Sequence, residues 1–315
     1  MDRAANGQQL TANYFAMVRR DELWVKGAVH ESRLNQGQAT ERGREIISRN
    51  VIDDAALLTS LREACDAEME RVQPAITVMR EARVRAVVTA TTEDFESTVA
   101  ITIDGISVVT TTDRAVDDYE ALKHLLRPPT AHPPARPLPI VWRNGSAAVL
   151  LHEAIGHAAE HGHAPLQWPR WLSARDETRD GRVANLVAGE RPLARRRESF
   201  RDVPMRRMTN LVVEQKRAPF ELPEERIEVH LVAGGAYEPL TEMVTVNVCL
   251  ADLIRSDHTQ RLWPFALRAS RSLISGSLLG ATGDPIRYPG VICSREAQEL
   301  FVASHAPVIV MAEMA

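Results

Sequence analysis

Residues 149 to 163 read V-L-L-H-E-A-I-G-H-A-A-E-H-G-H. Imidazole nitrogens and carboxylate oxygens are metal ligands and proton acceptors, so four histidines and two glutamates in one short run point to metal-assisted chemistry. The familiar zinc spacing H-E-x-x-H is absent, because the histidine after His152 and Glu153 comes at His157. Residues five apart on a regular helix lie about 140° from each other, so a straight helix cannot aim both rings at one ion. A single π-type turn, which closes five residues on, would restore the alignment, and Gly156 lowers the steric obstacle to it. A second arrangement overlaps the first: His157, Glu160 and His161 spell H-x-x-E-H, which suits an undistorted helix, with Glu238 as a downstream third ligand. The bland alternative is a helix whose histidines exit at the surface.

Several elements must position these groups. Asn144-Gly145 predicts a turn, Ser146 an N-cap, and Ala147 to about His161 a helix stopped by Gly162 and Pro165. Upstream, Leu57, Leu58, Leu61, Cys65 and Met69 recur at helical spacing from Asp53 to about Arg71, making Cys65 a core residue. Residues 83 to 112 are rich in Val, Ile and Thr and contain Asp104-Gly105, a two-residue hairpin signal. The run R-P-P-T-A-H-P-P-A-R-P-L-P, residues 127 to 139, holds six of the 18 prolines and reads as an extended connector. Beyond it, I-E-V-H-L-V, M-V-T-V-N-V-C-L and A-P-V-I-V-M read as strands punctuated by Gly234-Gly235, with Cys249 in the core. The fold class expected is α+β. A small N-terminal domain of helix and hairpins (1–134) precedes a largely antiparallel β domain carrying one metal-binding helix (135–315).

Composition narrows the partners. A net charge of -4 with 25% charged residues in 315 gives no reason to expect nucleic acid or a membrane. Three widely spaced cysteines argue against a disulfide framework and for a reducing compartment. The N-terminus lacks the apolar core of a signal peptide, so a cytoplasmic location is expected.

Three blocks in order resemble the TldD/PmbA (TldD/TldE) family of metallopeptidases. V-L-L-H-E-A-I-G-H-A-A-E resembles its zinc helix, which carries H-E-A-x-G-H with the five-residue separation. R-R-E-S-F-R-D-V-P-M-R-R-M-T-N, residues 196 to 210, resembles its R-R-E-S-Y segment leading into R-M-T-N, and C-S-R-E-A-Q, from Cys293, resembles its C-G-K-x-G-Q block. The likeness covers roughly residues 135 to 315, while residues 1 to 134 are shorter than that family's N-terminal domain, as in a shortened TldD-like member. Ser294 and Ala297 replace glycines of the family pattern, and Ala303 and His305 stand where glycines are expected.

The resemblance implies Zn2+ held by His152, His157 and Cys293, with Glu153 as the catalytic base. Two imidazoles and one thiolate make a three-ligand catalytic site with a position open to water. It further implies Glu160, Arg196, Arg197, Arg207 and Asn210 as residues that orient a ligand or bind substrate. Seven arginines fall between Arg191 and Arg207, of which only three match family positions; the others, like His161 and His163, read as surface. The implied activity is hydrolysis of unstructured peptides or exposed chain ends, as in maturation of a ribosomally made peptide. The implied assembly is a homo- or hetero-dimer with a TldD/TldE-like subunit. The alternatives are a non-catalytic scaffold subunit of such a heteromer, and a peptidase using His157, Glu160 and His161.

Overall fold

Segments rich in β-branched residues build two large sheets, and the proline-rich run lies between them in sequence. The structure is a computed structural model that describes residues 13–42, 45–49, 55–76, 79, 81–89, 96–104, 106–198, 201–216, 220–256 and 258–313. The first sheet is antiparallel throughout, in the order β3-β2-β1-β4-β5-β6. Its strands are β1 (Asn13–Val25), β2 (Ala28–Arg42), β3 (Glu45–Arg49), β4 (Glu81–Thr89), β5 (Glu96–Ile103) and β6 (Ile106–Thr111). Ile103 pairs with Ile106 across the expected hairpin, with Asp104 at φ 49; Gly105 lies outside the described residues.

Helix α1 (Ala55–Ile76) covers this sheet through buried Leu61, Cys65 and Met69. It runs past Arg71 because Val72 and Ile76, each 1% exposed, continue the same apolar stripe. The expected start at Asp53 and the side chains of Leu57 and Leu58 lie outside what is described. A second helix, α2 (Ala115–Leu125), has only Ala115 and Leu122 fully buried, which is why apolar periodicity does not announce it.

The second sheet has the order β15-β14-β13-β7-β18-β12-β8-β9, with β16 beside β14 and β17 beside β18. Its members are β7 (Ile140–Trp142), β8 (Leu172–Glu177), β9 (Val183–Asn185), β12 (Asn210–Gln215), β13 (Arg226–Glu238), β14 (Met243–Ile254), β15 (Thr259–Arg261), β16 (Phe265–Ser270), β17 (Leu278–Arg295) and β18 (Gln298–Met311). A separate two-strand ladder joins β10 (Arg195–Arg196) to β11 (Met205–Arg206). Pairing in the large sheet is mostly antiparallel, with parallel exceptions at β7–β13 and β12–β18. The architecture is thus α+β with large antiparallel sheets, and we propose to divide the chain at 134 and 135.

The proline-rich run is held against the second half of the chain: Ala131 bridges Leu262, Trp263 N–H donates to the Ala131 carbonyl at 2.9 Å, and His132 stacks on Trp263. One expectation needs correction, because Gly234 and Gly235 do not end a strand. They lie within β13, where the register against β14 shifts repeatedly between Val229 and Gly234. Gly234, at φ 147, supplies the conformation that such bulging needs. Among the described residues no helix is long and apolar enough to cross a membrane.

Candidate active site

The histidine-rich run forms one helix in three parts: α3 (Ala147–Leu151), a π-helical turn (His152–His157) and α4 (Ala158–His161). Residues 147–160 are all buried, as suits a helix apolar nearly all round that sits inside a core. It ends at Gly162, which takes the left-handed conformation at φ 75. Ser146 begins the helix but does not cap it. Its backbone is already helical, and its hydroxyl donates to the Val229 carbonyl at 3.0 Å, which also accepts the Arg143 N–H at 2.8 Å.

The π turn brings His152 and His157 onto one side, with ring centroids 4.9 Å apart and planes at 89°. Cys293 arrives from β17, its Sγ 3.1 Å from His157 Nε2. One ligand atom from each of the three residues lies within 4.8 Å of the other two, and all three side chains are buried. Among the described residues this is the one such group of three or more. Gly156 matters here through close approach: a Cβ would lie 2.0 Å from Met208 Sδ, and Met208 is wholly buried against the turn.

Electrostatics sort the roles. Glu160 Oε2 meets His157 Nδ1 at 3.2 Å, while its Oε1 accepts from Met208 N–H at 2.9 Å and lies 3.4 Å from Arg207 Nε. Burial disfavours the Glu160 charge, but His157, Arg207 and that amide outweigh it and hold the carboxyl at about 2. With a metal bound in place of the Nε2 proton, an ionised Glu160 accepting from Nδ1–H would leave the Nε2 lone pair of His157 free to ligate beside Cys293. Burial also pulls the His157 imidazole down, yet hydrogen bonds to Cys293 and Glu160 keep it well above its ordinary value. Burial, then the His157 charge, push His152 down to about 3, so its ring is neutral and able to ligate. Burial lifts Glu153 to about 7; its Oε2 has no hydrogen-bond partner among the described residues and lies 3.4 Å from His157 Nε2.

The residues present fit a metal ion. Both ring nitrogens of His152 are buried and have no hydrogen-bond partner among the described residues, an arrangement that is costly unless a ligand takes up a lone pair. The inverted set is not assembled: His161 and Glu238 are exposed, and Glu160 is committed to Met208 and His157.

Of the other residues singled out, Arg207 is 0% exposed and donates to the Cys293 carbonyl at 2.6 Å, tying the ligand strand to Glu160. Arg196 donates to the carbonyls of Met208 and Phe301, at 3.0 and 2.7 Å, which joins R-M-T-N to β18. Arg197 is half-buried in the same loop. Asn210 gives its N–H to Asp176 and meets His305 Nδ1 at 3.1 Å, so its visible role is to hold β12 in place. Cys65 is buried and Cys249 half-buried against the core.

Sequence reasoning misses three supports. Arg271 Nε donates to the Ala154 carbonyl inside the π turn at 2.8 Å. Tyr237 stacks on His157 at 6.4 Å while its hydroxyl meets His163 Nδ1 at 2.7 Å, so His163 is not a bystander. Gly235 faces Glu153 so closely that a Cβ would lie 2.6 Å from Glu153 Cγ. The H-G-H ending of the histidine-rich helix is the available signal for His163; the other two depend on strand and helix placement that no local pattern reveals.

The chain is similar in fold to the crystal structure of TldE from Thermococcus kodakarensis, with TM-score 0.54 and 7% identity over 95% of this chain and 94% of that one. It is likewise similar to a proposed modulator of DNA gyrase from Thermotoga maritima, with TM-score 0.51 and 9% identity over 95% and 94%. No protein-family model matches the chain, and no curated protein matches it in sequence. The fold is TldD/PmbA-like.

Proposed function

We propose that this protein is a zinc-dependent peptidase acting on unstructured peptides or exposed chain ends, with peptide maturation as a setting for that activity. The observation that carries this reading is the π turn, which converges His152 and His157 on Cys293 with Glu153 beside them. Two imidazoles and one thiolate suit zinc, and the three-ligand count leaves a position for water or substrate. When bound, zinc would polarise a peptide carbonyl and make water a stronger acid.

The chain's own groups do the rest. Glu153, ionised, accepts a proton from the attacking water at Oε2 and returns it to the leaving amine. Glu160 and Arg207 fix the His157 tautomer and the Cys293 main chain. The edge of β13 beside Glu153 offers main-chain groups to an extended peptide, which would give affinity with little demand on sequence.

A mass-spectrometric screen of the metal-loaded protein against an unstructured peptide mixture tests the activity: new termini are expected, and intact peptides would instead favour a non-catalytic scaffold subunit. We also propose that the active species is at least a dimer, of this chain or with a TldD/TldE-like subunit. Light scattering on active material reads this directly, and full activity in a monomeric peak contradicts it. Gly235→Ala is expected to displace Glu153 and lower turnover by about 10²-fold while metal is retained, since small misplacements of a reacting group cost about that much. Unchanged turnover would show that Glu153 does not need this contact.

A further inference from the structure

β13 pairs with β7 only as far as Val229, so beyond that point one of its edges has no strand hydrogen-bonded to it among the described residues, although β6 lies across the cavity from it. At Val232 that edge is nevertheless closed. The Tyr288 hydroxyl, from β17, accepts the Val232 N–H at 3.0 Å and donates to the Val232 carbonyl at 2.7 Å. One side chain thus satisfies both main-chain groups that an added strand would use, and Tyr288 is part of the cavity wall at that point. Tyr288 is only 2% exposed, so it is held in place by the core.

Three residues further on, Gly235 rests against Glu153. A cavity of about 350 Å³ is lined by Glu153, Val232, Gly234, Gly235 and Tyr288, with Gly290 of β17 among its other walls. Toward Glu238 the strand instead runs outward, Ala236 and Glu238 being exposed. The edge is therefore capped on one side of Glu153, at Val232, while Ala233, Gly235, Ala236 and Glu238 are all exposed.

We propose that Tyr288 is an end-stop that determines where substrates are cut. A peptide lying along β13 would have room for about three residues between Glu153 and Tyr288, at the usual rise of about 3.3 Å per residue. The protein would then release short fragments from a chain end rather than cut internal bonds. This inference rests on the peptidase reading above.

The test compares a linear unstructured peptide with its head-to-tail cyclised form, both incubated with the metal-loaded full-length protein and followed by mass spectrometry. The linear peptide is expected to lose short fragments from one end while the cyclic form, which has no end, stays intact. Tyr288→Ala, checked for folding by circular dichroism, should lengthen the released fragments, and Tyr288→Phe, which keeps the ring, should not. Cleavage of the ring, or first cuts in the middle of the linear peptide, overturns the end-stop and leaves the peptidase reading standing. Failure to cut either peptide overturns the peptidase reading and the end-stop with it. If Tyr288→Ala does not fold, the linear and cyclic pair decides the matter alone.

Discussion

Glu153→Gln is expected to bind metal as the wild type does and to lose peptide hydrolysis by roughly 10²- to 10⁴-fold, the usual worth of a positioned general base. The amide keeps the size of the side chain and its contact with Gly235 but cannot accept a proton. Metal is retained because Glu153 is outside the group formed by His152, His157 and Cys293. The pH profile adds a second readout. A general base works only when ionised, so wild-type activity should fall as pH drops through the Glu153 pKa. Burial places that pKa at about 7 in the metal-free protein, and a cation alongside would lower it. The residual activity of the variant should lack that acid limb. Near-native turnover by Glu153→Gln would remove this residue from the mechanism.

The second large effect concerns the ligands. His152→Ala and Cys293→Ala are each expected to strip the metal, because a three-ligand site that loses one donor binds far more weakly. His161→Ala is expected to leave it bound, since that ring sits exposed past the π turn. Under the inverted reading His161→Ala would strip the metal while His152→Ala and Cys293→Ala would not. Metal content of the three folded variants, measured after dialysis, separates the two outcomes. Both sets predict loss with His157→Ala, so that variant serves only as the positive control.

The distortion of the histidine-rich helix is legible in the sequence because it follows from angles alone. Histidines five apart on a buried helix can share an ion only if one turn widens, and the structure has its π turn from His152 to His157. The helix ends are equally local, at the Asn144-Gly145 turn and at Gly162. Cys293 is different in kind. It reaches His157 because β17 runs beside β18 and β18 beside β7, and pairings at such sequence separation leave no trace in spacing. Only the resemblance carried by C-S-R-E-A-Q pointed to it.

Ser146 shows the opposite failure, where a sound local rule loses to a tertiary contact, the bond from its hydroxyl to the Val229 carbonyl. The hairpin after Cys293 is similar. The family pattern asks for glycine at position 297, yet Glu296 and Ala297 both adopt positive φ, at 49 and 61, because Arg295 and Gln298 pair on either side of a two-residue turn. Tyr237, Gly235 and Arg271 are read only from the folded arrangement, since the first two meet the histidine-rich helix from β13 and the third from the helix that it begins.

The central claim is a metal centre built from two imidazoles and one thiolate, and X-ray absorption at the zinc edge of the purified, zinc-loaded protein tests it most directly. The expected first shell contains one sulfur at about 2.3 Å and two imidazole nitrogens at about 2.0–2.1 Å, with an oxygen donor completing it. The sulfur contribution should vanish in Cys293→Ala. A wild-type shell of nitrogen and oxygen alone, without sulfur, would contradict the account.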